Sequence, residues 1–144
     1  MEKRKESSSN RQIIVFIACS KTKRAYSCKA EDMYLGALFK KALIYAKRRY
    51  SSIFILSAKY GILNLDSKID PYNLTLNTMT NQEKKEWYQK VKKQMKLMNL
   101  TKPFLFLTGK IYNEPFEGSK PLTGLSLGKQ LQWFTLKNKT SSLF

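Results

Sequence analysis

The 144-residue chain contains no histidine. That absence removes the imidazole general base, every Ser-His or Cys-His catalytic pair, and every zinc site that draws on histidine. Cysteine is scarce as well: Cys19 and Cys28 are the only two, and they make no metal-binding pattern. A disulfide between them stays open, although a chain without an export signal is expected to keep its thiols reduced. No apolar run approaches the ~20 residues of a membrane-spanning helix, and Ile13 to Cys19 is too short for a signal-peptide core with normal flanks. The expectation is a cytoplasmic protein with no membrane partner, no metal and no cofactor. Acids are few: 10 Asp+Glu face 27 Lys+Arg, a formal net charge of +17.

What is present is enough for one folded domain. Hydrophobic residues make up 42% of the chain, which supports a buried core and excludes disorder throughout. The positive charge is spread over both halves of the sequence rather than parked in a tail, so the folded body itself is basic. Such a body favours polyanions, nucleic acid above all. A plainer source is a lysine-rich amino-acid usage of the kind an AT-rich genome produces. Residues 1–11 read as a mobile polar lead-in, 12–136 as a single α/β domain, and 137–144 as a frayed tail.

Ile13 to Ala18, Ile53 to Ser57 and Phe104 to Leu107 are apolar runs without alternation, the pattern of parallel strands buried on both faces. Between them the periodicity turns helical. Glu31 and Asp32 open a helix predicted to run to Arg49, with Leu35, Leu38, Phe39, Ala42, Tyr45 and Ala46 on its inner stripe. Thr80 and Glu83 form a capping box ahead of Trp87, Val91, Met95 and Met98, and Ser126 starts a last helix carrying Leu127, Leu131 and Phe134. Residues 58–79 read as a long loop. Alternating strand and helix predict a small three-layer, Rossmann-like parallel sheet.

Ligands of such sheets bind beyond the carboxyl ends of the strands, and the three strands end alike: Cys19-Ser20-Lys21, Ser57-Ala58-Lys59 and Thr108-Gly109-Lys110. Small and hydroxyl-bearing residues let a ligand approach the backbone, and each lysine adds a compact positive charge. Together they predict one anion pocket. Gly61 turns the chain sharply after Tyr60, which could stack on a base or pack beneath the loop. Asp70-Pro71-Tyr72-Asn73 has a stiffened backbone; Asp70 orients a water or is simply a turn former. Gly124, Ser126 and Gly128 resemble a phosphate-cradling helix start, with close helix–sheet packing the preferred alternative. Lys84, Lys85, Lys90, Lys92, Lys93 and Lys96 form either a solvated helix face or a track for a nucleic-acid backbone.

The order CSKTK (19–23), AEDMYLGALFKK (30–41), ILSAKYGIL (55–63), DPYNLTL (70–76) and PLTGLSLGKQLQW (121–133) resembles a family of short, uncharacterised bacterial and phage proteins with CSKxK and SAKYG motifs. That family is distantly similar to the DNA-binding YaaA-type proteins and to the catalytic domain of archaeosine synthase. The resemblance implies a uracil-DNA-glycosylase-like fold. Cys19 and Lys23 match the Cys-x3-Lys part of the synthase motif, while Arg24-Ala25 stands where Pro-Tyr would follow and no histidine closes it. Asp70-Pro71-Tyr72 echoes the DPY of uracil-DNA glycosylases, whose Asp orients the attacking water.

These residues lead to an enzyme acting on a nucleobase or nucleotide, within nucleic acid, by N-glycosidic cleavage or base modification. Asp70, Lys59 and Lys23 are the candidate catalytic groups. Cys19, Ser20, Lys21, Ser57, Tyr60, Gly61, Tyr72, Asn73, Thr108, Gly109 and Lys110 are the candidate substrate contacts. The alternatives are a non-catalytic basic nucleic-acid-binding module and a small phage-type inhibitor that binds a host protein.

Overall fold

The three apolar runs become neighbouring parallel strands in a computed structural model that describes residues 13–141, with side chains up to Lys139. In chain order the strands are β1 (Ile14–Ala18), β2 (Cys28–Lys29), β3 (Ser52–Ser57), β4 (Gly61–Asn64), β5 (Lys68–Ile69) and β6 (Phe104–Leu107). The helices are α1 (Ala30–Met33), α2 (Ala37–Arg49), α3 (Asn81–Leu97), α4 (Lys110–Asn113) and α5 (Leu127–Ser141), with a 3-10 turn at Leu76–Thr78. The main sheet has the order β4-β3-β1-β6. Ile14 lies opposite Ser52 on one side and Phe104 on the other, both pairings parallel. β4 adds an antiparallel edge to β3, and β2 pairs with β5 in a separate two-stranded piece. No described helix is long and apolar enough to cross a membrane.

The strands are apolar on both sides because both faces are covered. Val15 and Ile17 share a buried cluster with Phe39, Ala42 and Ala46 of α2 and Phe134 of α5. Phe16, Leu56 and Phe106 share the opposite cluster with Trp87, Val91 and Met95 of α3. The connection from β1 to β3 runs one way along the sheet and the connection from β3 to β6 runs back past β1. The strand order therefore reverses at β1, where open α/β sheets keep their crevice.

The helix predicted from Glu31 to Arg49 breaks at Tyr34–Gly36. There the loop after β1 offers competing hydrogen bonds. Leu35 N donates to Thr22 O at 2.9 Å, Arg24 N donates to Met33 O at 2.9 Å, and Gly36 N donates to Ser20 Oγ at 3.2 Å. Tertiary bonding overrides helix propensity at these three residues. The stretch 58–79 is also more ordered than a loop, since it holds β4, β5 and the 3-10 turn. At the other end α5 continues through 137–141 instead of fraying. Arg48 and Arg49 donate to the carbonyls of Asn138 and Lys137 at 3.0 and 3.1 Å, satisfying acceptors that a helix end otherwise leaves open. The expected lead-in, residues 1–11, lies outside the described residues, as do 142–144.

The preferred close packing at Gly124 and Gly128 is not found: a Cβ at either position meets nothing within 4 Å. Gly61 is the opposite case. Its φ is +74°, and a Cβ there would run into the side-chain amide of Gln94, whose oxygen accepts from Ile62 N at 2.8 Å and whose nitrogen donates to Tyr60 O at 3.0 Å. Gly61→Ala is expected to cost about 3–4 kcal/mol, roughly 1–2 from the left-handed backbone and about 1 for each of the two amide contacts displaced. Gly128→Ala should instead gain about 0.5 kcal/mol through helix propensity. Urea midpoints at unchanged slope would register both, and equal behaviour of the two variants would contradict the packing described.

Candidate functional site at the carboxyl edge of the sheet

Parallel pairing brings the ends of β1, β3 and β6 to one edge, so Cys19, Ser57 and Thr108 lie on the same side of the sheet. A cavity of about 420 Å³ opens where the strand order reverses. Its walls are the exit of β1 (Cys19 to Thr22), the exit of β6 (Thr108, Gly109), the first turn of α2 and Leu127 and Leu131 of α5. Leu38, Phe39, Ala42 and Leu107 make it largely apolar, and among the described residues Lys21 is its one charged lining residue. The first turn of α2 has neither a side-chain cap nor an acidic residue, which leaves the positive end of that helix uncompensated beside Lys21.

Cys19 joins this cavity to a cluster of hydroxyls. Its thiol is half-buried and 3.2 Å from the Tyr112 hydroxyl. Nearby, Tyr72 OH bonds to Tyr34 OH and to Ser57 Oγ, each at 2.8 Å. The Ser57 hydroxyl also accepts from Lys59 N and Tyr60 N, and its carbonyl accepts from Trp87 Nε1 at 2.9 Å. Fully buried Ser57 is thereby committed to structure. The Lys23 ammonium lies over the Tyr72 ring, 4.4 Å from its centroid, and donates to Lys21 O at 3.2 Å.

Burial dominates the electrostatics. It pulls the Lys23 amino group below the ordinary lysine value, with the Cys19 thiol acting in the opposite sense. Burial pushes the Tyr34 phenol up to about 12. Tyr72 and Tyr112 are raised by burial first and by the neighbouring Cys19 thiol second. All three phenols are therefore neutral donors at physiological pH.

The candidate residues distribute unevenly around this centre. Cys19, Ser20, Lys21, Thr108 and Gly109 line the cavity, while Lys23, Ser57 and Tyr72 belong to the adjoining hydroxyl cluster. Tyr60 packs edge-on to Tyr72, with ring centroids 5.6 Å apart. Gly61 closes the β3–β4 turn opposite Ser57. The single lysine-lined pocket expected from the three strand ends does not form. Lys59 is exposed with its ammonium 5.2 Å from the Tyr60 ring centroid, and the Lys110 ammonium sits 3.6 Å from the Glu114 carboxylate. Neither lines the cavity. Asp70 is exposed and its carboxylate accepts from the Ser27 hydroxyl; Asn73 is exposed beyond it.

Two members of the cluster, Tyr34 and Tyr112, escaped the sequence reading. Tyr34 lay inside a stretch whose periodicity spelled helix, and Tyr112 stood in a loop-rich segment with no motif. What makes them neighbours is the fold, since Cys19 and Tyr112 are 93 residues apart in the chain. Among the described residues no group of three or more Cys, Asp or Glu side chains is placed to hold a metal.

A mostly parallel four-stranded sheet with helices on both faces, and a cavity at the carboxyl edge where strand order reverses, defines an α/β protein with its candidate ligand site at the switch point. The chain belongs to the family of unknown function DUF6884, which matches residues 14–136. No curated protein and no solved structure matches it.

Proposed function

We propose that the protein is an enzyme that modifies a nucleobase, within nucleic acid, on a Rossmann-like scaffold of the uracil-DNA-glycosylase type. The observation that carries this reading is the pairing of a half-buried thiol with neutral phenols at the mouth of an apolar cavity. Largely apolar walls suit a base withdrawn from its stack. Cys19 is the nucleophile candidate: with its proton lost to solvent, the thiolate can add to an unsaturated ring or substituent carbon. The π pair of that carbon moves onto the adjoining nitrogen or oxygen, where the Lys23 ammonium can protonate it, while the Tyr112 hydroxyl donates to the sulfur. Lys23 places a positive charge near the same centre. It also carries a proton that burial makes easier to release.

Between the two branches expected from the sequence, the cavity lining favours base modification. The glycosidic route read for Asp70 uses a carboxylate to orient water or support a sugar cation, and among the described residues no Asp or Glu lines the cavity. Asp70, the residue assigned that task on sequence grounds, is held at the surface by Ser27.

The test is incubation of the full chain with single-stranded DNA, duplex DNA and bulk RNA, supplemented with a deproteinised cell extract as a source of co-substrates. The nucleic acid is then digested and its nucleosides weighed by mass spectrometry. A nucleoside of altered mass is the expected result. Release of a free base would restore the glycosidic branch. Binding with no change in any nucleoside would favour the second reading, a catalytically silent nucleic-acid-binding module, which the lysines of α3 support.

A further inference from the structure

A strongly basic helix, α3, packs beside the candidate site. Lys84, Lys85, Lys90, Lys92, Lys93 and Lys96 share this helix with only two acids, Glu83 and Glu86. Neither acid neutralises them. The Glu83 carboxylate accepts from Thr80 N at 2.8 Å in the capping box, and Glu86 accepts from the Gln82 amide at 3.3 Å. The ion pairs recorded among the described residues all lie on other elements.

Between α3 and the turn after α4 runs a groove of about 460 Å³. Lys84, Lys85, Tyr88 and Lys92 form its α3 wall, and Glu114 and Pro115 face them. Glu114 is the one acid on the groove among the described residues, and its carboxylate already has the Lys110 ammonium at 3.6 Å. Lys84, Tyr88 and Lys92 follow one another at four-residue steps, so they fall on one line along the helix. The outer two are about 12 Å apart along the axis at ~1.5 Å per residue. At the ~3.4 Å axial rise per nucleotide of one duplex strand that distance spans about three or four nucleotides, and fewer of a more extended single strand. A mononucleotide offers too few phosphates to occupy such a line.

α3 is also fixed relative to the candidate site. Trp87 Nε1 donates to the carbonyl of Ser57, and Gln94 clamps the β3–β4 turn through Tyr60 O and Ile62 N. The Tyr88 hydroxyl donates to Ile111 O at 2.6 Å, tying the groove to α4.

We propose that the α3 groove is a docking track for the phosphodiester backbone of a polynucleotide, with Lys84, Lys85 and Lys92 as its phosphate contacts. This goes beyond the reading of Cys19 and stands or falls without it, because it concerns binding alone. It assigns the partner as a nucleic-acid strand several nucleotides long and not a free nucleotide.

The experiment uses the full chain and a fluorescently labelled oligothymidylate, with affinity measured by anisotropy across a salt series. Three neutralising changes on the groove, K84Q, K85Q and K92Q together, are compared with three on the opposite face of the sheet, K40Q, K129Q and K137Q. The two triple variants have the same net charge. Thermal melts confirm that both are folded. The groove variant should lose about 10-fold or more in affinity at low salt. Its log–log salt slope should fall by about 2, at ~0.7 per phosphate contact on a single strand. The opposite-face variant should change the slope by less than about 0.5. Equal effects of the two triples, or no binding of the unaltered protein at low salt, would overturn the proposal. So would a groove variant that binds the oligonucleotide normally but loses binding to phosphatidylserine vesicles, which would assign the groove to an anionic membrane surface.

Discussion

Replacing Cys19 by serine is expected to lower turnover on the responsive nucleoside by about 10³-fold or more, with oligonucleotide affinity held within about twofold. A serine hydroxyl keeps the shape of the thiol but stays protonated at neutral pH, and a positioned nucleophile with its proton-transfer partner contributes on this scale. Lys23→Gln should follow with a loss of about 100-fold. It removes both the charge and the transferable proton, while the amide still packs on the Tyr72 ring. Asp70→Asn should stay within a few-fold of the unaltered protein, since its carboxylate is exposed and its one recorded side-chain partner is the Ser27 hydroxyl. Steady-state kinetics on the three variants, each checked by circular dichroism, decide the matter. Full activity in Cys19→Ser removes the covalent route. A collapse of activity in Asp70→Asn alone returns the mechanism to hydrolysis.

The second large effect is a steep loss of stability in alkali. Tyr34 titrates near 12 in the folded protein, against about 10 for a free phenol. Tyr72 and Tyr112 are raised further. A raised value means that the fold holds the proton more tightly than the unfolded chain does. The associated stability is complete below about pH 10 and is lost as pH climbs through the folded values. Each phenol then costs up to about 1.4 kcal/mol per pH unit, so the three together approach about 4 kcal/mol per unit. Lys23 works weakly against this trend. Its folded value is lowered, so the unfolded chain binds more protons there and stability gains as pH rises, by at most one proton. Urea unfolding at a series of pH values between about 9 and about 11 should show the fall, and Tyr34→Phe should make it shallower by about 1.4 kcal/mol per unit. Constant stability over that range would mean that the phenols are not held as described.

These two expectations rest on different kinds of legibility. The strands at 14–18, 52–57 and 104–107 could be read directly, because a strand buried on both faces must be apolar at every position. The carboxyl-edge placement of Cys19, Lys21 and Thr108 followed from parallel pairing alone. Tyr34 could not be read, because its conformation is decided by hydrogen bonds between its neighbours and Thr22, Arg24 and Ser20, partners that local periodicity does not register. β4 was hidden for a related reason: Ile62 and Leu63 are too short an apolar pair to announce a strand until Gly61 folds them back on β3. Lys59 and Lys110 show the converse error. Similar sequence at three strand ends suggested one lysine pocket, but each side chain leaves its strand at its own angle, and a nearby ring or carboxylate captures it.

The reversal of strand order at β1 also sets the order in which the site can be assembled during synthesis. β1 finds its first partner, β3, once α1 and α2 have been made, but its second partner is β6, and the cavity's last wall is α5. A nascent chain that has emerged only as far as Lys102 carries Cys19, Lys23, Tyr34 and Tyr72 on a sheet lacking the strand that β1 later pairs with on its other side. Tyr112, whose hydroxyl is hydrogen-bonded to the thiol, and Leu127 and Leu131, which line the cavity, arrive from the last third of the sequence. The thiol therefore has neither until synthesis has passed Leu131, and the candidate site cannot be assembled before that point.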